Sequence, residues 1–349
     1  MGNFSCYIIM KKITVISLFF LLVISISCSE NKEVGSSIST EEQNVPYERN
    51  FLKVDLVPIQ LDEKLDSLLI NPIQLKIFNN QLYVVDYSPM TIYRFNLSGD
   101  LDRILGNGRG RGPGEIQQIM DFDVAEGKIY VSDLNNFKVA VYTKEGEHIK
   151  DILTEERPTR ILTIREELYG NSIPSEYLVT EFDKEGKSVE EFGKFIEDQY
   201  ENSIVYTGEF GRSNKNIVFT MYQTSKTVVF DDKKDPMVLS GPEAFGFPEM
   251  VFDESSGRRE KVSKNRDIWQ TLAKADNEEI VIATTLASDL QKNPDDPRTI
   301  LDFYNAENGS YKHSIMLPRT VYQWRLFNDK AYFLSTQNDT LGAYSIEYL

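Results

Sequence analysis

Apolar and polar positions along the chain fall into one unit that returns again and again. Its clearest copy reads Leu82-Tyr83-Val84-Val85-Asp86, then Ile92 to Phe95, with a turn at Gly99. Short runs of β-branched and aromatic residues, bounded by Gly, Asn and Asp, predict strands joined by turns. A second copy stands 47 residues on: Ile129-Tyr130-Val131-Ser132-Asp133, Val139 to Tyr142, and Gly146. A weaker third is Tyr177-Leu178-Val179 with Phe182 and Gly186, and a fourth is Ile217-Val218-Phe219 with Val228-Val229-Phe230. The fifth, Ile280-Val281-Ile282 to Phe303-Tyr304 and Gly309, carries an insertion from Ala287 to Arg298. The sixth is Phe327-Asn328-Asp329-Lys330-Ala331-Tyr332-Phe333, an echo of Phe78-Asn79-Asn80-Gln81-Leu82-Tyr83-Val84 displaced by 249 positions without a gap.

Each hairpin is flanked by one more strand on either side, such as Ile73 to Ile77 before it and Leu101 to Leu105 after it. Four strands at a period of 40 to 50 residues predict the blades of a β-propeller. Five steps across 249 residues favour six blades over seven. After Tyr344 only five residues remain, too few for an outer strand. The alternating segment Phe51 to Val57 is therefore expected to pair into the last blade and close the ring, which protects both sheet edges. The expected fold class is all-β, with residues 51–349 as the propeller.

The beginning of the chain has a different character. Met10-Lys11-Lys12 precedes an apolar run, Ile13 to Ile26, of 14 residues. A membrane-spanning helix needs about 20, whereas this length suits the core of a signal peptide. Met10 makes a natural start, leaving residues 1–9 as an upstream extension, and residues 1–27 are expected to be removed. Ser25-Ile26-Ser27-Cys28 resembles the lipobox of bacterial lipoproteins, which implies lipidation of Cys28. In the lipobox family Leu usually stands where this chain has Ser25. Ser29 after the cysteine resembles the sorting pattern for the outer membrane, facing either the periplasm or the exterior. The polar residues up to Asn50 are expected to form a disordered tether, so residues 28–50 are lipid anchor plus leash.

The formal charge of −16 becomes −18 once Lys11 and Lys12 leave with the leader, which argues against a nucleic-acid partner. Only Cys6 and Cys28 exist, so the folded part holds neither a disulfide nor a thiol nucleophile. His148 and His313 are the only histidines, both expected to be exposed, and a His-based triad or multi-His metal site is close to excluded. Trp269 and Trp324 read as residues buried between blades, with sugar stacking as the other use. Arg258-Arg259-Glu260-Lys261 with Lys264 and Arg266 is the one basic cluster, within the long segment Gly241 to Asp267.

The linker Gly106-Asn107-Gly108-Arg109-Gly110-Arg111-Gly112-Pro113-Gly114-Glu115, followed by Ile119-Met120-Asp121-Phe122-Asp123-Val124 and Tyr130-Val131-Ser132-Asp133, resembles the six-bladed β-propeller family of bacterial lipoproteins, relatives of NHL-repeat propellers. The resemblance is specific over residues 78–147. It implies a fold and an address more than a reaction. Arg109 and Arg111 are candidates to grip an acidic or sugar ligand, against a plain inter-blade turn. Asp86 and Asp133 end equivalent strands. They are candidates either for holding a ligand or Ca²⁺ near the channel or for capping turns.

Two functional expectations follow. The first is a monomeric lipoprotein displaying a propeller for a protein or carbohydrate ligand, with no cofactor and no catalysis. The alternative is a calcium-dependent hydrolase or lyase, lactonase-like, with a metal in the central channel.

Overall fold

The computed structural model describes residues 33–34, 37–38, 48–173, 175–195, 203–239, 241–253, 260–263, 267–292, 298–317, 323–335 and 340–349. The expected leader, Cys28 and most of the expected tether lie outside the described residues.

Six four-stranded antiparallel sheets surround a common axis. Blade 1 is Pro72–Phe78, Gln81–Asp86, Thr91–Asn96 and Leu101–Leu105; blade 2 is Ile119–Ala125, Lys128–Asp133, Lys138–Thr143 and His148–Leu153. Blade 3 is Pro158–Ile164, Glu167–Ser172, Val179–Phe182 and Ser188–Phe192; blade 4 is Gly208–Ser213, Asn216–Met221, Thr227–Phe230 and Pro236–Val238. Blade 5 is Ile268–Ala275, Glu279–Leu286, Thr299–Asn305 and Tyr311–Leu317. Blade 6 takes Gln323–Phe327, Lys330–Ser335 and Thr340–Tyr348 from the end of the chain and its fourth strand, Val54–Ile59, from the beginning.

That closing strand is antiparallel to its partner, with Ile59 opposite Ala343 and Val54 opposite Tyr348. It starts three residues later than expected, because the residues before it are engaged elsewhere. Phe51 bridges Ser314 in blade 5, whose backbone exchanges hydrogen bonds with Asn50 and Leu52. Arg49 donates to the buried Asp302 of the same blade at 2.8 Å and also to Glu243. The expected tether therefore does not stay unattached up to Asn50. Further back, Ile38 is 1% exposed beside Phe195 and Tyr206, and Ser37–Ile38 pairs in parallel with Lys194–Phe195.

The core is six wedges, one at each blade junction. Along Leu82-Tyr83-Val84-Val85, Leu82 and Val84 face blade 6 while Tyr83 and Val85 face blade 2. Both faces of such a strand are covered, so it reads as continuous apolar sequence rather than a clean alternation. Trp324 is buried in the wedge between blades 5 and 6.

Turn chemistry repeats with the strands. The loops Asn79-Asn80, Glu126-Gly127, Arg165-Glu166 and Asn328-Asp329 hold both central residues at positive φ, from 46° to 75°. That geometry matches the twist of the strands they join. Gly99, Gly146, Gly186 and Gly309 turn the third strand into the fourth, all at positive φ. Blade 4 puts Lys234 at that place instead (φ 65°), where its ammonium reaches Glu181 and Glu190 of blade 3.

In blade 3 the sequence copy supplied only the third strand and its glycine turn. The second strand, Glu167–Ser172, ends in Gly170-Asn171-Ser172 and lacks the β-branched signature. A Cβ on Gly170 would stand 2.8 Å from the Phe182 ring, so packing demands the residue that hides the strand. The insertion in blade 5 contains the short helix Ala287–Lys292, and the segment before blade 5 contains a hairpin of Met250–Asp253 with Glu260–Ser263.

Candidate functional site

The first strand of each blade lies nearest the axis, and polar side chains on these strands stitch every junction. From blade 2, Asp121 accepts the Ile161 N–H of blade 3 at 2.9 Å and Asp123 accepts that of Thr163 at 2.7 Å. Glu209 of blade 4 accepts the Leu272 N–H of blade 5 at 3.0 Å, and Gln323 of blade 6 accepts the Leu75 N–H of blade 1 at 2.6 Å. Arg160 of blade 3 donates to the Gly208 carbonyl of blade 4 at 3.0 Å, and Arg325 of blade 6 to the Leu272 carbonyl of blade 5 at 2.7 Å. Gln74 and Lys76 of blade 1 reach Asp121, the ammonium at 2.7 Å.

Among the described residues, two ion pairs also cross the channel between blades that are not neighbours. Arg212 of blade 4 pairs with Asp123 of blade 2, and Arg325 of blade 6 pairs with Glu209 of blade 4 at 3.3 Å. Asp121, Asp123 and Glu209 are all buried, and each has a cation against it. For a carboxylate buried this way, the partner cation and backbone donors take the place of water. Among the described residues no group of three acidic, His or Cys side chains is placed to hold a metal ion.

The channel widens where the first strands end. There a cavity of about 270 Å³ opens, walled by Phe78, Leu162, Phe210, Leu272 and Phe327. Four cations face it: Lys76, Arg212, Lys274 and Arg325. Lys76 and Arg325 lie deep, with side chains 12% and 10% exposed; Arg212 and Lys274 stand at the rim, at 30% and 26%. The Arg212 guanidinium sits 5.8 Å from the Phe78 ring centroid. Lys274 bonds Asp276 at 2.9 Å. Burial disfavours the Lys274 ammonium, but Asp276 and Glu279 outweigh that and hold its pKa above the ordinary lysine value. Burial likewise opposes the Asp276 carboxylate, yet Lys274 and the backbone N–H groups of Glu279 and Glu278 bring its pKa below the usual range.

The residues singled out in sequence lie elsewhere. Asp86 accepts backbone N–H bonds from Ile70, Asn71 and Ser88, and Asp133 from Gln117 and Gln118; both are buried. They tie the end of each second strand to the segment that enters the first. Arg109 and Arg111 are exposed on the linker between blades 1 and 2. Its glycine carbonyls are taken internally: Gly110 by Asn136, Gly114 by Tyr142 at 2.6 Å. The histidines are not exposed as expected. His148 bonds Asp151 at 2.9 Å against the Tyr142 ring, and His313 stacks on Phe303 with centroids 4.5 Å apart. Burial lowers the His313 pKa. Trp269 stacks on Tyr222 at 4.8 Å. Arg258, Arg259, Lys264 and Arg266 lie outside the described residues.

The channel residues escaped the sequence reading. Their signal was there: a polar residue recurs inside the apolar strand that precedes each hairpin, as in Gln74, Asp121, Arg160, Glu209, Gln270 and Gln323. What a linear pattern lacks is the ring that makes these six positions neighbours.

Fold and channel together define a six-bladed β-propeller whose axis is bolted by buried ion pairs. A family model described as a 6-bladed beta-propeller matches residues 29–169, from ahead of blade 1 into blade 3. Among solved structures, a protein from Bacteroides fragilis described as exported is similar over 90% of this chain and 100% of its own, at 14% identity and a TM-score of 0.57. A member of the duf4221 family from Bacteroides vulgatus matches 86% of this chain and 100% of its own, at 11% identity and a TM-score of 0.59. Virginiamycin B lyase from Staphylococcus aureus covers 84% of this chain and 99% of its own, at 12% identity and a TM-score of 0.50. At such identities the likeness is one of fold alone. No curated protein matches the chain by sequence.

Proposed function

We propose that the protein is an exported, lipid-anchored binding module whose propeller receives a small ligand in the channel-mouth cavity. The observation that carries this reading is the cavity itself. It is a concave, largely apolar space with a few converging polar groups, the usual make-up of ligand sites. It also sits at the end of a channel whose other polar groups are committed to one another. Arg160, Asp121 and Glu209 hold blades together, and that favours binding over chemistry. The apolar run before Cys28 and the exported neighbour from Bacteroides fragilis support an envelope location. Among the described residues no helix is long and apolar enough to cross a membrane.

The test is to fill the cavity. Ala275 lines it and is half-buried, so Ala275→Trp places an indole where the ligand would lie. Full-length protein of both kinds is exposed to a cell-envelope extract, and the retained small molecules are read by mass spectrometry. The wild type is expected to retain species that the variant loses; identical profiles would defeat the reading. Cys28→Ala is expected to move the protein from the membrane fraction to the soluble one.

A further inference from the structure

We infer that the cavity takes a carboxylate carried on an apolar body, the carboxylate meeting Arg212 and Lys274 at the rim. This rests on the binding reading above and adds the ligand's chemistry.

Three observations bear on it. First, the two rim cations are the most exposed of the four, and they rise from blades 4 and 5 on adjoining walls. A guanidinium has five N–H donors. Arg212 uses its Nη1 on the Val124 carbonyl at 3.2 Å and its Nη2 on Asp123. Asp123 also lines the cavity, but its side chain is only 2% exposed against 30% for Arg212, so the remaining guanidinium donors are what solvent in the cavity meets.

Second, four cations line the partly dehydrated cavity against two carboxylates, Asp123 and Asp276, in a chain of charge −16. The net negative charge of the chain disfavours anions in general, so converging cations are what an acidic ligand needs. Third, the walls beyond the cations are Phe78, Phe210, Phe327, Leu162 and Leu272. At about 270 Å³ the space is at the small end for ligand pockets, which suits a single ring or a short branched chain. A planar carboxylate matches a guanidinium fork in two bonds, and such charge-assisted bonds are stronger than neutral ones. A bare inorganic anion would leave the aromatic walls wet.

A free acid and the C-terminal end of a peptide offer the same chemistry, and the probes separate them. Phenylacetate, phenylacetamide, phenethylamine and phenyl phosphate are titrated calorimetrically into the full-length protein, alongside a tripeptide ending in phenylalanine and its C-terminal amide. Phenylacetate is expected to bind at least about tenfold more tightly than its amide. Arg212→Leu is expected to erase that preference while the amide still binds. Because Arg212→Leu leaves the buried Asp123 without its cation and so threatens folding, Lys274→Met serves as the second variant; Asp276 there keeps its backbone donors. Tighter binding of the tripeptide than of phenylacetate assigns the site to chain ends, and the reverse to free acids.

Equal or tighter binding of the amide, the amine or the phosphate overturns the carboxylate assignment and leaves the cavity reading standing. Binding by none of the probes also overturns it, and the Ala275→Trp comparison then judges the cavity separately.

Discussion

Asp121 shows how one side chain can serve three blades. It accepts Gln74 and Lys76 from blade 1 and the Ile161 N–H from blade 3 while sitting on blade 2. Asp121→Ala would leave the Lys76 ammonium without its counter-charge at a site where its side chain is 12% exposed. Breaking a buried pair from one side typically costs about 3–5 kcal/mol, so denaturant unfolding is expected to show a loss of that order. The rim cluster responds to acid. Asp276 and Glu279 both have pKa values below the ordinary carboxylate range: burial opposes their ionisation, but Lys274 and Lys312 with local N–H donors more than compensate. Carboxylates depressed in the folded state contribute stability above their unfolded pKa, about 4, and lose it as pH falls through the lower folded value. Glu243 has the opposite sign, since burial raises its pKa despite Arg49. Thermal melts between neutral pH and pH 3 are expected to fall, and Lys274→Met is expected to flatten the part of that fall due to the rim.

Strands and turns were the part of the molecule most open to reading in advance. Alternation, aromatic content and the glycine turns marked five hairpins, because a two-residue loop at positive φ and a turn glycine leave residue-type signatures. The exception, Glu167–Ser172, was obscured by Gly170, which is there for the sake of the neighbouring Phe182 ring. The channel was opaque for a related reason. An acid such as Asp123 inside an apolar strand looks the same whether it meets an arginine 89 residues away or water. Turn glycines are not equal, however. Gly186 and Gly106 both have positive φ, 88° and 106°. A Cβ on Gly186 would lie 2.1 Å from the Leu153 carbonyl oxygen, while one on Gly106 would meet nothing within 4 Å. Gly106→Ala is expected to cost about 1–2 kcal/mol from backbone strain alone. Gly186→Ala should cost clearly more, as chemical denaturation of the two variants would show.

Among the described residues the ring is held by wedges between sheets and ion pairs along the axis. Its integrity therefore depends on the sixth junction as much as on any other. A chain beginning at Asp62 would lack Val54–Ile59 and expose the edge of Thr340–Tyr348. It would also lose the Arg49 link to Asp302. The deletion is expected to abolish a single cooperative melt and to produce aggregates in size-exclusion chromatography, since an open strand edge recruits other chains. A sharp transition near the wild-type temperature would contradict this.

Sharing blade 6 between the two ends of the chain also sets a clock. Val54–Ile59 leaves the ribosome early, and its partner follows roughly 290 residues later. At about 5–20 residues per second, that is a wait of roughly 15–60 s during which no native ring can exist. A polypeptide that stays unfinished until its last strand is made remains threadable for all that time, and threading is what passage through a secretion pore requires.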